Sequence, residues 1–233
     1  TDLEIDVLDR NRAVFKQNRI VLCMPSSQTL AIARNKYVLY KTFEYDDLVP
    51  SISTYLSGEV PITLLPAIAK PYNGRSSEGV LRISNVKELE EVSSKSGYIF
   101  QEIIEGPVFT VDYIRNSYTD KDFSIVREEL LRTKNGAGTT VRMSNDMSLK
   151  RLVSHIGNMI QVNGCINMEF IQSKGKYYLI DINPRFSAGV AFSHMAGYNM
   201  VLNHLNCFIV QDIQAPVLYQ EQIITKRYRE EIL

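Results

Sequence analysis

The sequence predicts an α+β fold in two lobes. Strand-like segments gather at residues 67–83, 98–133 and 165–183, and amphipathic helical patterns fall between and around these runs. At 233 residues and 45% apolar content the chain can bury a substantial core in one or two lobes. No internal repeat or low-complexity tract interrupts the pattern.

Residues 4–18 set Ile5, Leu8, Val14 and Phe15 among charges, as a helix does, and Arg19 to Met24 reads as a short strand. Ser27 is read as the cap of a helix running through Ala33, and Lys36 to Phe43 starts the next. After Pro50 and Pro61 a short strand ends at Lys70, a loop follows, and Val80 to Ile83 resumes as a strand. Asn85 with Glu88 three residues on is a capping-box arrangement for a helix. Tyr98 to Ile104 and Val108 to Ile114 are strands on either side of Gly106-Pro107, and Phe123 to Thr133 is a third, ending at a flexible stretch from Lys134 to Gly138. Asp146 begins the clearest helix, with Leu149, Leu152, Val153, Ile156 and Ile160 on one core-facing stripe. Helical segments follow Ala188 and span about Asn199 to Val210.

The most informative stretch is Cys165 to Arg185. Asn167-Met168-Glu169-Phe170 alternates, and an apolar run from Tyr177 to Ile180 leads into Asp181-Ile182-Asn183-Pro184-Arg185, with Ser173 to Lys176 as the turn of a β-hairpin. Glu169 shares a face with Asn167, and Asp181 with Asn183. A turn centred on Gly175 sets Glu169 opposite Asp181 so that all four polar groups converge; a two-residue turn puts them on opposite faces. Two carboxylates and an amide oxygen are hard ligands suited to Mg²⁺ beside phosphate. Arg185 has the geometry to grip an anion bidentately. The plain alternative, polar residues on a half-solvated hairpin, explains Glu169 alone better than it explains the set.

A second segment runs from Ala67 to Val80. A β-type run ends in Lys70, and the Gly/Ser-rich loop after it can turn backbone N–H groups towards phosphate oxygens while Lys70 adds positive charge. It is not a Walker-type loop, because its lysine precedes the glycines and no helix begins directly after it.

Ahead of Gln101-Glu102-Ile103-Ile104-Glu105-Gly106, and with Asp-Ile-Asn-Pro-Arg near the C-terminus, this order of motifs resembles the ATP-grasp superfamily. Within it the chain looks most like the large subunit of carbamoyl phosphate synthase and its stand-alone relatives, over roughly Lys36 to Cys207. The resemblance implies a two-lobed ATP-grasp fold over 36–233, with 44–104 as the small lid lobe and 1–35 as the remnant of a preceding α/β domain. It implies ATP and Mg²⁺ (or Mn²⁺) as cofactors. Lys36 and Lys70 would hold ATP phosphates, Ser76, Ser77 and Gly79 would form the lid loop, and Gln101, Glu102 and Ile104 would contact adenine. Glu169, Asp181 and Asn183 would bind the metal, and Arg185 would steady the transferred phosphate. The implied activity is an ADP-forming ligation of a carboxylate to an amine or ammonia through an acyl phosphate. The alternative is a nucleotide-binding regulatory or degenerate module without ligase activity.

Three positions depart from the family pattern. Asn35 stands for the usual Asp before the first lysine, Asp181 for the usual Glu, and Val108 for a Glu that commonly accepts hydrogen bonds from ribose; Glu105 is the first candidate to replace that acceptor.

Twenty-six basic residues balance twenty-six acidic ones, which removes the electrostatic case for nucleic acid or an anionic membrane as partner and leaves small-molecule substrates. No apolar run approaches the roughly 20 residues a transmembrane helix needs, and no signal peptide is seen, so a cytoplasmic protein is expected. Cys23, Cys165 and Cys207 lack CxxC spacing and read as buried thiols rather than a disulfide frame or zinc site. The three histidines are scattered, which gives hydrolysis by a triad little support.

Overall fold

The computed structural model describes residues 2–74, 78–134 and 136–227. It opens with α1 (Asp2–Arg10) and α2 (Arg12–Gln17), so the helical pattern of residues 4–18 is split at Asn11. The strand expected over 19–24 does not form. Arg19 turns left-handed at φ 57°, and Ile20 and Val21 stay exposed without a neighbouring strand to pair with. Helices α3 (Ser27–Ala33) and α4 (Lys36–Thr42) follow, capped by Ser26 and by Asn35, whose Oδ1 accepts from the N–H groups of Tyr37 and Val38. Asn is as good as Asp at this position, so the departure at residue 35 leaves the helix start intact.

A four-stranded antiparallel sheet forms the smaller lobe in the order β1 (Thr54–Leu56), β4 (Tyr98–Glu102), β2 (Ala67–Pro71), β3 (Leu81–Ile83). Helix α5 (Val86–Ser93) covers one face. Asn85 caps it by accepting from Glu88 N–H, as the spacing anticipates, while the Glu88 carboxylate returns not to the Asn85 N–H of a capping box but to Ser84 N–H and Asn85 Nδ2. Alternation along the strands sends Ala67, Ala69 and Phe100 into the core under α5. Ile68, Lys70 and Gln101 line the opposite side of the sheet, facing the second lobe.

The larger lobe is a six-stranded antiparallel sheet, β10-β7-β6-β5-β8-β9, built from β5 (Val108–Asn116), β6 (Lys121–Arg132), β7 (Gly138–Ser144), β8 (Gly164–Ser173), β9 (Lys176–Asn183) and β10 (Ile223–Thr225). The chain enters β5 through Gly106, where any Cβ would lie 1.9 Å from the Gln172 carbonyl oxygen, so only glycine lets the linking segment pass β8 this closely.

One face of this sheet packs Phe109, Val111, Tyr113, Ile166, Met168 and Phe170 against α3, α4 and α6 (Met147–Met159). Helix α6 is capped by Asp146 and buries Leu149, Val153, Ile156 and the following Ile160 almost completely, as its stripe requires. The other face changes character along its length. Ile114, Ile125, Val141, Met143 and Cys165 pack under α7 (Val190–Met195) and α8 (Met200–Asn206). Thr110, Arg127, Glu129, Asn167 and Glu169, on the same side of the same strands, line the cleft towards the smaller lobe. Among the described residues no helix is long and apolar enough to cross a membrane.

Leu149 is fully buried in the core beneath α6. Leu149→Ala should destabilise the protein by about 2–5 kcal/mol, the usual range for a cavity of this size, read as a lower urea midpoint with an unchanged slope.

Candidate functional site

The hairpin β8–β9 sets the geometry. Its turn is the two-residue Lys174-Gly175, both with positive φ (48° and 74°), closing on the pair Ser173–Lys176. Such a turn by itself would place Glu169 and Asp181 on opposite faces. The register instead shifts between Glu169 and Phe170: Phe170 pairs with Leu179, and Glu169 pairs with Asp181, leaving Ile180 as the extra residue of a β-bulge. Glu169, Asp181, Asn167 and Asn183 therefore converge, by a bulge rather than by a three-residue turn.

The bulge also supplies an anchor. Tyr40 Oη donates to the carbonyl oxygen of Ile180 at 2.7 Å, and Lys70 Nζ, reaching across from β2, donates to Tyr40 Oη at 2.9 Å and to the same carbonyl at 3.3 Å. Burial pushes the Lys70 ammonium down to about 8, against the pull of Asp181 and Glu169 in the opposite direction. Lys36, at the first turn of α4, donates to Asp181 Oδ1 at 2.7 Å and to the Gly74 carbonyl at 3.3 Å, tying the hairpin to the loop after β2.

Glu169 faces Arg132, whose Nη2 lies 2.8 Å from Glu169 Oε2. Burial raises the Glu169 carboxyl, with Arg132 opposing and Asp181 and Glu129 reinforcing the shift. Asn183 Nδ2 donates to Asn167 Oδ1 at 3.3 Å, and Asn183 Oδ1 accepts from Arg185 at 3.2 Å. Arg185 is itself clamped by Asp2 of α1, at 3.0 Å and 3.2 Å to the two carboxylate oxygens. Burial works to raise the Asp2 carboxyl, but Arg185 and Arg34 overcome it and hold it below the ordinary value.

The hairpin residues Glu169, Asp181, Asn183 and Arg185, with Lys36 and Lys70, line one cleft of about 520 Å³ between the sheets, which also takes in Gln101, Glu102 and Ile104. Gln101 donates to Thr54 Oγ1 at 2.6 Å, Glu102 accepts from Ser53 N–H at 3.0 Å, and Ile104 packs with Tyr40, Ile52 and Ile180 where the lobes meet. Gly79 lies beside the loop end of β2, with a Cβ excluded by Pro71. Ser76 and Ser77 fall outside the described residues. Val108 pairs with Ile171, one alternate position from Thr110, which pairs with Glu169. Glu105 does not line the cleft; it is exposed and 3.9 Å from Arg82.

Sequence reasoning missed Tyr40 and the β6 residues Arg127, Glu129 and Arg132. Arg127 and Glu129 alternate as inward residues do, and this was the available signal. Arg132 joins them through a register irregularity between Glu129 and Leu131, invisible without the partner strand.

A family model described as an ATP-grasp domain matches residues 33–189. Solved structures with a similar fold include N5-carboxyaminoimidazole ribonucleotide synthetase from Thermotoga maritima (TM-score 0.68, 19% identity, 82% of this chain and 53% of that one). The biotin carboxylase domain of 2-oxoglutarate carboxylase from Hydrogenobacter thermophilus, solved with MgADP, ADP and bicarbonate, gives a TM-score of 0.74 at 15% identity over 87% of this chain and 51% of that one. L-amino acid ligase from Bacillus licheniformis gives 0.63 at 18% identity over 83% and 52%. At these identities the likeness is one of fold, and the chain spans about half the length of each. A search of curated proteins found no match.

Lys70 is depressed from 10.5 to about 8 in the folded protein, so between those values the unfolded chain holds a proton that the folded one has released. Stability should therefore rise with pH across that window. Thermal unfolding of the wild type and Lys70→Met checks this: the wild type should gain on the variant from pH 8 to pH 10.5, and a constant difference would show that Lys70 stays charged.

Proposed function

The chain belongs to the ATP-grasp family, and on that premise we propose that it is an ATP-dependent, ADP-forming ligase joining a carboxylate to an amine or ammonia, similar in chemistry to carbamoyl phosphate synthase. The observation that carries the reading is the bulged hairpin, which gathers Glu169, Asp181 and Asn183 within one cleft beside Lys36, Lys70 and Arg185. Ile52, Ile68, Val80, Ile171 and Ile180 give that cleft an apolar lining suited to a flat base.

The donor set fits Mg²⁺ or Mn²⁺: two carboxylates adjacent across the bulge, an amide oxygen two residues on, and a cationic side chain already seated on each carboxylate. When bound, such an ion neutralises phosphate oxygens and exposes the terminal phosphorus to attack. Lys36 and Lys70 add fixed positive charge on the side of the smaller lobe. In this reading a carboxylate oxygen of the acceptor attacks the terminal phosphorus and ADP leaves; an amine nitrogen then attacks the acyl carbon, loses a proton, and phosphate departs. Positioning and charge neutralisation account for most of the rate, which is why lysine, arginine and acidic side chains dominate the cleft.

A second reading, a nucleotide-binding module without ligase activity, draws on Val108 in place of a ribose acceptor and on Arg185 held by Asp2 rather than free for an anion. ADP release that depends on added carboxylate and amine separates the two.

Asp181→Asn removes a formal charge from the candidate metal shell and the partner of Lys36, and should weaken Mg-ATP binding at least about tenfold by titration calorimetry. Unchanged affinity would sink the assignment of Asp181. Val108→Glu should tighten ATP more than 2′,3′-dideoxy-ATP; equal changes would show that residue 108 does not face the ribose.

A further inference from the structure

Glu129 of β6 lies in the wall of the cleft, and its side chain is only 2% exposed. Its Oε1 accepts from Arg127 Nε at 3.3 Å. Its Oε2 is the one buried side-chain oxygen or nitrogen without a hydrogen-bond partner among the described residues. An acceptor sealed from water with nothing to accept is costly, so such an atom points to a donor that arrives from elsewhere. The chain leaves room for this carboxylate at Gly138, where a Cβ would sit 1.8 Å from Oε2.

Local charge narrows the donor. Glu169 and Asp181 each face a cation of their own, Arg132 and Lys36. Glu129 instead shares Arg127 with Asp112, which holds that guanidinium at 2.8 Å and is further bonded by Ser193 Oγ at 2.6 Å; Arg127 Nη2 is occupied by Ser187 Oγ at 2.9 Å. One guanidinium between two buried carboxylates leaves a net negative charge at the cleft wall. A cationic donor would balance that charge.

We propose that Glu129 Oε2 is the subsite where the amino group of the amine substrate first binds as an ammonium, before it gives up a proton and its nitrogen attacks, so that the amine substrate enters from the β6–β7 side of the cleft. The inference rests on the ligase reading above and assigns one of its two substrates to a wall of the site.

The test uses protein labelled with ¹³Cδ-glutamate, in which the Glu129 resonance is identified by its loss in Glu129→Gln, with and without saturating Mg-ADP. At constant ionic strength, ammonium and methylammonium should shift that resonance saturably, and tetramethylammonium, which has no N–H to donate, should not. Methylammonium should also raise the melting temperature of the wild type but not of Glu129→Gln, and Glu129→Asp should need at least tenfold more of it. No saturable shift, an equal shift with tetramethylammonium, or saturation by Mg²⁺ alone would overturn the proposal. Calorimetric titration with Mg-ADP runs in parallel: its failure would sink the nucleotide reading, while the amine titration without nucleotide would still report on Glu129.

Discussion

The candidate site depends on one extra residue. Side chains on a strand alternate with a period of two, so a register slip of a single position exchanges the faces of everything beyond it. The Lys174-Gly175 turn sets a register in which Asp181 and Asn183 would point into the core packed against α6. Ile180 reverses that parity. Its bulge returns Asp181 to the face of Glu169, and its freed carbonyl receives Tyr40 and Lys70, so the same irregularity that gathers the acidic groups also ties the two sheets together.

Charge balance is the second constraint. A buried carboxylate or ammonium persists only when paired or hydrogen-bonded, and the cleft follows this rule in distinct pairs: Lys36 with Asp181, Arg132 with Glu169, Arg127 with Asp112, Arg185 with Asp2. All but the Arg127–Asp112 pair of neighbouring strands cross between elements distant in sequence. Asp2 and Arg34 bring the first helices to the hairpin, with Arg34 also bidentate on Asp6. Each pair is a contact that an anionic or cationic ligand can compete for, so ligand binding and the packing of α1, α4 and β6 around the cleft are linked. Lys36 shows this most directly, since its ammonium holds a hairpin carboxylate and the Gly74 carbonyl at once.

The larger sheet separates stability from chemistry along its strands. On β5, β6 and β8 the residues under α7 and α8 include Ile114, Ile125 and Cys165, with Asp112 held there by Ser193 of α7, while those two to four positions from the apolar ones on the same face are Thr110, Arg127, Glu129, Asn167 and Glu169. The opposite face, under α3, α4 and α6, is mainly apolar, with buried Arg115 at its far end bonded to Asn158 of α6. The polar end is thus held in place by strands whose remaining side chains are packed, which keeps its geometry rigid without a dedicated scaffold.

Periodicity and local chemistry made much of the fold legible. The stripe from Leu149 to Ile160, the capping pair Asn85 and Glu88, and the alternation around Glu169 identify their elements without reference to distant residues, because helix and strand periods and caps are properties of neighbouring positions. The two-lobed α+β class and the family followed from the order of those elements and motifs. The three-residue strands β1 and β10, and β7 with its mixed composition, were not legible, since pairing to a partner decides them more than intrinsic preference does. The missing strand at 19–24 is the converse: a strand-like composition with no partner to pair with. Arg132 and Tyr40 became site residues only through a register shift and the approach of α4 and β2 to the hairpin, whereas Arg127 and Glu129 carried the signal of strand alternation. The sequence by itself determined which side chains can serve phosphate, metal and carboxylate chemistry; tertiary structure decided which of them meet, because a one-residue bulge reverses a strand's faces and only the paired strand records it.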